Sequence, residues 1–134
     1  MNKIKQVIVI RKDLNMRKGK MVAQGAHASI NAILKAAYQN EYGITIETKD
    51  IFAGNSTEIG QWLETDYTKI VLSVNSEKEL LDLNDAVIKA GLNCALVQDN
   101  GLTEFNGVKT WTALAIGPDF SNKIDLLTSN LSLL

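Results

Sequence analysis

The chain has 134 residues and a formal charge of −1, from 14 basic and 15 acidic side chains. Its 46% hydrophobic and 22% charged content is globular, which excludes wholesale disorder, and its length suits one domain, 1–134, that needs no disulfide or metal staple. No apolar run approaches the roughly 20 residues that span a bilayer, and a charge of −1 excludes indiscriminate binding of nucleic acid over the whole surface.

Residues 4–11 are β-branched and continuous, which suits a strand covered on both faces. Residues 12–18 form a polar connection. From 19 to about 39 the Ala-rich, Pro-free sequence predicts a helix so nearly apolar all round that it should be well buried. The stretch 40–55 gives mixed signals, with Thr45-Ile46-Glu47-Thr48 alternating like a short strand or extended loop. Residues 56–64 predict a short helix capped by Asn55 or Ser56, and 69–74 a strand. Ser76-Glu77-Lys78-Glu79 is a capping box; the helix it opens carries Leu80, Leu83 and Val87 and is stopped by Gly91. Residues 93–98 predict a strand, 99–107 a loop, and 110–116 the last strand, broken by Gly117-Pro118-Asp119. Asp119 or Ser121 then caps a final helix through Ile124, Leu127 and Leu131. The order β-α-(α)-β-α-β-β-α predicts an α/β fold with helices on both faces of a mixed sheet.

The one cysteine, Cys94, lies in an apolar run and reads as a packed core residue. It cannot form an internal disulfide, and no Cys/His cluster offers a zinc site, so a reducing, cytoplasmic setting without metal is the consistent expectation. The charge is unevenly spread. Residues 1–20 hold seven basic residues (Lys3, Lys5, Arg11, Lys12, Arg17, Lys18, Lys20) against Asp13, and residues 21–134 hold seven basic against 14 acidic. Such asymmetry predicts one basic patch on an otherwise acidic body, provided that the seven residues converge.

Two segments carry candidate chemistry. On the first helix Lys20, Gln24, His27 and Asn31 recur at i, i+4, i+7 and i+11, one polar stripe that must face solvent, a partner or a cleft. Just before it, Arg17-Lys18-Gly19-Lys20 places cations where the helix dipole disfavours them; a bound phosphate would reverse that sign. The segment is not a Walker loop, and no dinucleotide glycine fingerprint follows a strand. The second segment, Gln98-Asp99-Asn100-Gly101-Leu102-Thr103-Glu104, follows the C-terminal end of a strand, where ligands of open α/β sheets sit. Asp99 suits a general base or water-orienting group, Thr103 a hydroxyl donor, and Gly101 a close backbone approach. The same Asp-Asn-Gly run is also ordinary turn chemistry.

Lys18-Gly19-Lys20-Met21-Val22-Ala23-Gln24-Gly25-Ala26-His27-Ala28 resembles the first-helix motif of type 2 peptidyl-tRNA hydrolases, the archaeal and eukaryotic kind. Asp99-Asn100-Gly101-Leu102-Thr103-Glu104 is similar to that family's Asp-Ala-Gly-Arg-Thr loop, and the segment from Thr110 through Ala115-Ile116-Gly117-Pro118 to its last strand and turn. Trp62, Lys69-Ile70-Val71-Leu72 and the closing segment 124–134 fall in familiar places, while residues 40–58 lie outside the resemblance and form a longer segment than the family leads one to expect.

The resemblance implies a mixed four-stranded sheet, a homodimer, no cofactor, and hydrolysis of the ester between peptide and tRNA. It implies that Lys18, Lys20, His27, Asp99 and Thr103 surround the site. Together with the residue reading above, Lys18, His27, Asp99 and Thr103 are the expected catalytic residues, and Arg17, Lys20, Gln24, Asn31 and Gly101 the expected substrate contacts. Asn100 and Leu102 depart from the family's small residue and arginine, and Asn106-Gly107-Val108 from its proline-containing turn. These departures leave open an alternative, a tRNA-binding or protein-interaction module of the same fold without hydrolase activity.

Overall fold

The computed structural model describes residues 3–102 and 104–134. In chain order it runs β1 (Ile4–Arg11), a single 3-10 turn (Lys12–Leu14), α1 (Lys18–Lys35), β2 (Tyr38–Asn40), β3 (Gly43–Thr45), β4 (Lys49–Asp50), β5 (Asn55–Ser56), α2 (Glu58–Glu64), β6 (Lys69–Val74), α3 (Glu77–Lys89), β7 (Cys94–Asp99), β8 (Thr110–Phe120), α4 (Ser121–Thr128) and β9 (Ser132–Leu133).

β1 is the centre of the main sheet, whose order is β7-β8-β1-β6-β9. β6 runs parallel to β1, β8 lies antiparallel between β1 and β7, and β9 pairs antiparallel with β6. β7 therefore points the same way as β1, and their C-terminal ends open on one end of the sheet. The mixed α/β architecture is the expected one, but the main sheet has five strands and not four. The fifth escapes sequence reading because two residues show no period. It exists because α4 stops at Thr128, short of the expected Leu131, and the chain turns so that Leu133 pairs with Leu72 and Ser132 with Ser73.

Successive β1 side chains enter two cores, as a strand buried on both faces requires. Val7 and Val9 join Leu72, Val74, Leu114 and Ile116 beneath Leu80 and Val87 of α3 and Ile124 of α4. Ile8 and Ile10 join Ala95, Val97, Ala113 and Ala115 beneath Ala28 and Ala32 of α1. The small alanines on both sides bring α1 close to the sheet. Cys94 is buried in the first core, and that burial pushes its thiol pKa up, against a smaller opposing effect of the Lys35 charge. The rest of α1 departs from expectation. Only one flank meets the sheet, and Val22 and Ile30 on the other are 72% and 52% exposed.

The capping box of α3 forms as expected. Ser76 Oγ accepts from the Glu79 amide at 3.0 Å, the Glu79 carboxylate accepts from the Asn75 amide at 2.6 Å, and Gly91 takes φ +76° after the last turn. The cap of α2 is Thr57 and neither Asn55 nor Ser56, because those two form β5. Thr57 Oγ1 accepts from the Gly60 amide at 2.9 Å and donates to the Glu47 carbonyl at 2.8 Å. Residues 38–56 fold into two hairpins, β2/β3 and β4/β5, and so α1 ends at Lys35 and not near Gln39. β8 continues through the cis Gly117–Pro118 bond to Phe120, and there it carries one extra residue: Gly117 and Pro118 stand opposite the single Gln6 of β1, between the pairs Lys5–Asp119 and Val7–Ile116. No side chain caps α4; Asp119 Oδ1 accepts from the Phe120 amide at 2.7 Å. No described helix is long and apolar enough to cross a membrane.

Candidate active site

The C-terminal end of β7 and the first turn of α1 meet at the open end of the sheet. There the Lys20 ammonium donates to Asp99 Oδ1 at 2.7 Å, with only 15% and 14% of the two side chains exposed. The Lys20 nitrogen also lies 5.7 Å from the centre of the Phe105 ring, a cation–π distance. The second Asp99 oxygen accepts from the Gly101 amide at 2.9 Å. The Lys20 hydrogen bond is the chief cause that holds the Asp99 carboxyl below the ordinary carboxylate range. Partial desolvation opposes it, while the Gly101 amide and the positive charges of Lys20 and His27 act with it. Asp99 is thus a carboxylate, half shielded from water, with a cation on one oxygen and a main-chain donor on the other.

The loop that follows is held by its own backbone. The Gly107 amide donates to the Gly101 carbonyl at 2.7 Å, and the Val108 amide to the Phe105 carbonyl at 2.9 Å. Gly101 has φ +79°, and a methyl group there would meet the Val108 carbonyl oxygen at 2.4 Å. Only glycine satisfies both the angle and the contact. Asn106 at φ 50° and Gly107 at φ 78° make the reversal that brings Val108 back.

The expected polar stripe of α1 divides into three environments. Lys20 is on Asp99. Gln24, one turn on, is buried at 3% exposure, where its Oε1 accepts from the Thr112 hydroxyl at 2.5 Å. It therefore lies behind the site and does not line an open stripe. His27 is exposed and within electrostatic reach of Asp99. Asn31, also exposed, lies about 16 Å from Lys20 along the helix axis and borders a different hollow with Ala95, Leu96 and Trp111. The structure does not bring Asn31 to Asp99.

Lys18 and Lys20 also separate. Lys18 is exposed and borders a groove with Met21 and Val22, whereas Lys20 reaches the carboxylate. Arg17 is 91% exposed, with Nε 4.0 Å from Glu104 Oε1. Thr103 lies outside the described residues. Thr112 was missed by sequence reading: its partner Gln24 is 88 residues away, and a threonine in a strand gives no local sign of such a bond.

The seven N-terminal cations do not all converge. Lys3 and Lys5 stand at the far end of β1, about 25 Å of strand away, and Lys5 is paired with Asp125 at 2.6 Å. Arg11 is engaged by Asp13 at 2.6 Å and by the Trp111 carbonyl at 3.1 Å. Arg17, Lys18 and Lys20 remain together at the start of α1. Among the described residues no group of three or more His, Cys, Asp or Glu could hold a metal ion.

The chain that carries this lysine-paired aspartate is similar to known proteins along nearly its whole length. The family model for peptidyl-tRNA hydrolase PTH2 matches residues 4–134. A peptidyl-tRNA hydrolase of Methanocaldococcus jannaschii is 42% identical over 131 residues, covering 98% of this chain and all of the relative. Those of Methanothermobacter thermautotrophicus and Methanopyrus kandleri are each 40% identical, covering 98% and 97% of this chain and 100% and 97% of the relatives. The match runs through α1, the loop that bears Asp99, and β8 alike, and on this evidence the chain belongs to the peptidyl-tRNA hydrolase PTH2 family.

Proposed function

We propose that the chain hydrolyses the ester joining a peptide to the terminal ribose of tRNA, freeing the tRNA in the cytoplasm. The observation that carries this reading is the half-buried Lys20–Asp99 pair at the open end of the sheet, in a chain of this family. Ester hydrolysis needs a water aimed at the carbonyl carbon and a charge that stabilises the oxyanion as it forms. Asp99, kept ionised by Lys20 and fixed by the Gly101 amide, orients and activates that water. Lys20 supplies the positive charge beside it. His27 carries the proton to the departing ribose oxygen, and Thr103 orients the ester or the water.

Arg17 and Lys18 are free of the core and stand at the N-terminus of α1, where main-chain amides and dipole add to their attraction for tRNA phosphates. Gln24 and Thr112 act one layer behind, fixing the turn of α1 that carries Lys20. The test is to incubate the protein with an N-acetylated aminoacyl-tRNA and detect free tRNA, with the unblocked aminoacyl-tRNA as control. Release from the blocked ester is expected; an intact ester would overturn the reading. Binding of tRNA should weaken steeply with salt if phosphates are its main contacts.

A homodimer belongs to the same proposal. The outer flank of α1 and the side of α2 enclose an apolar groove of about 960 Å³, bordered by Met21, Val22, Ile30, Ile46, Leu63 and Tyr67. Val22, Ile30 and Tyr67 stand 72%, 52% and 56% exposed along it, and a second copy of the chain would take these apolar side chains out of water. Light scattering is expected to give the mass of two chains, and Val22→Asp with Ile30→Asp that of one. A single-chain mass for the unaltered protein would refute the dimer.

A further inference from the structure

Beside the Lys20–Asp99 pair the loop turns two aliphatic side chains into water: Leu102 is 87% exposed and Val108 63% exposed. The backbone is held at Gly101 and at Val108. Gly101, the neighbour of Leu102, gives its amide to Asp99 and its carbonyl to the Gly107 amide, and it packs directly on the Val108 backbone. Leu102 and Val108 therefore flank one point of contact, one residue away from a group bonded to the candidate catalytic carboxylate. An apolar surface that is already ordered binds without the cost of ordering it first.

The chemistry of this surface selects among the parts of a peptidyl-tRNA. The two side chains themselves offer neither charge nor donor to a phosphate; the cations near them are Lys109, exposed beside Val108, and Arg17, 4.0 Å from Glu104 of the same loop, with Lys18 beside it at the start of α1. A nucleobase stacks best on an aromatic ring or a guanidinium plane, and branched aliphatic side chains provide neither. The part left is the last amino acid of the peptide. Its Cα is bonded to the ester carbonyl carbon, so any pose that sets that carbon before Asp99 brings the adjoining side chain within reach of the loop.

We propose that Leu102 and Val108 contact the side chain of the last amino acid of the peptide and favour esters in which it is aliphatic or aromatic. The proposal rests on the hydrolase reading above, and its test separates the two. One tRNA body is loaded with N-acetylated leucine, phenylalanine, glycine or aspartate, and kcat/KM is measured for the native chain and for Leu102→Ser, Val108→Ser and the double variant. The leucine-to-glycine ratio is expected to fall by about fivefold to tenfold in the double variant, the scale set by partial burial of a few methylene groups. The glycine ester, which has no side chain to lose, should be cleaved within about twofold of the native rate. An unchanged ratio would overturn the proposal, and so would an equal loss on all four esters, which would assign the two residues to the tRNA end or to the loop's own integrity. A native chain that cleaved none of the four would overturn the hydrolase reading itself, a result distinct from a native chain that cleaves all four without preference.

Discussion

The loop at 99–110 and the hairpins at 38–56 are both excursions from the sheet, both turn on hydrogen bonds between near neighbours, and both expose apolar side chains. They differ in what their bonds are tied to. In the loop, the chain of contacts begins on the Asp99 carboxylate, passes through Gly101 to Gly107 and Val108, and ends on the Thr110 hydroxyl, which donates to the Val108 carbonyl at 2.9 Å. At the hairpin tips the bonds close on themselves, and the base of the segment is tied to α2 and its cap, through Thr57 to Glu47 and Thr48 and Gln61 to Ser56, and not to the site. Asn40 Oδ1 accepts from the Tyr42 amide at 2.8 Å, and Asp50 Oδ1 from the Phe52 and Ala53 amides at 2.9 and 3.0 Å. The tips, with Tyr42 90%, Ile51 80% and Phe52 95% exposed, stand outside both cores. Local order is thus equal in kind, but of the two regions it is the loop that is bonded to a charged group at the site.

That difference sets a graded series of tests. Asp99→Ala removes the group on which the loop and Lys20 converge, and single-turnover ester cleavage is expected to fall by about 100-fold or more. An undiminished rate would remove Asp99 from the mechanism and the loop from its special place. Gly101→Ala forces a side chain into φ +79° and onto the Val108 backbone. A loss of about 2–4 kcal/mol in denaturant unfolding is expected, together with a fall in cleavage. Lys20→Ala should slow cleavage by roughly tenfold and change its pH dependence. Because Asp99 titrates below the ordinary range, its ionised form is present above that range and is lost only as pH falls through the lowered value. The acid limb of cleavage should therefore lie below about pH 4 in the native chain, and move upward when Lys20 is removed. An acid limb that stayed in place would show that Lys20 does not set the Asp99 charge. The smallest effect is expected at the hairpin tip, where Ile51→Ser with Phe52→Ser should change stability by no more than about 0.5 kcal/mol and leave single-turnover cleavage within about twofold. A large loss of cleavage there would erase the contrast between the two regions.

What could be read from the sequence follows the same division between local and distant causes. The β-branched run of β1, the capping box at Ser76 and the stop at Gly91 are short-range signals, and the chain forms each of them where it was expected. The position of Asp99 at the end of β7 is legible because a turn after a strand end is itself a local pattern. The choice of Lys20 over Lys18 was not, since it depends on which face of α1 meets β7, two elements 79 residues apart at the contact. The bond from Thr112 to Gln24, the pairing of Leu133 with Leu72, and the separation of Lys3 and Lys5 from Lys20 are equally products of tertiary placement. The hairpins failed for the opposite reason. Their strands of two or three residues are too short to show the period-two alternation by which strands are recognised.

The position of β8 has a consequence for the order in which the molecule is made. β7, which carries Asp99, meets the centre of the sheet only through β8, which follows it in the chain and inserts between it and β1. Lys20 emerges 79 residues before Asp99, and β7 gains its place in the sheet only when the strand Thr110–Phe120 has also been made and has closed the gap to β1. A growing chain of this protein is itself a peptide esterified to tRNA, the kind of bond its finished site is proposed to cut. The topology delays full assembly of the cutting site until the strand that ends at Phe120 has been made.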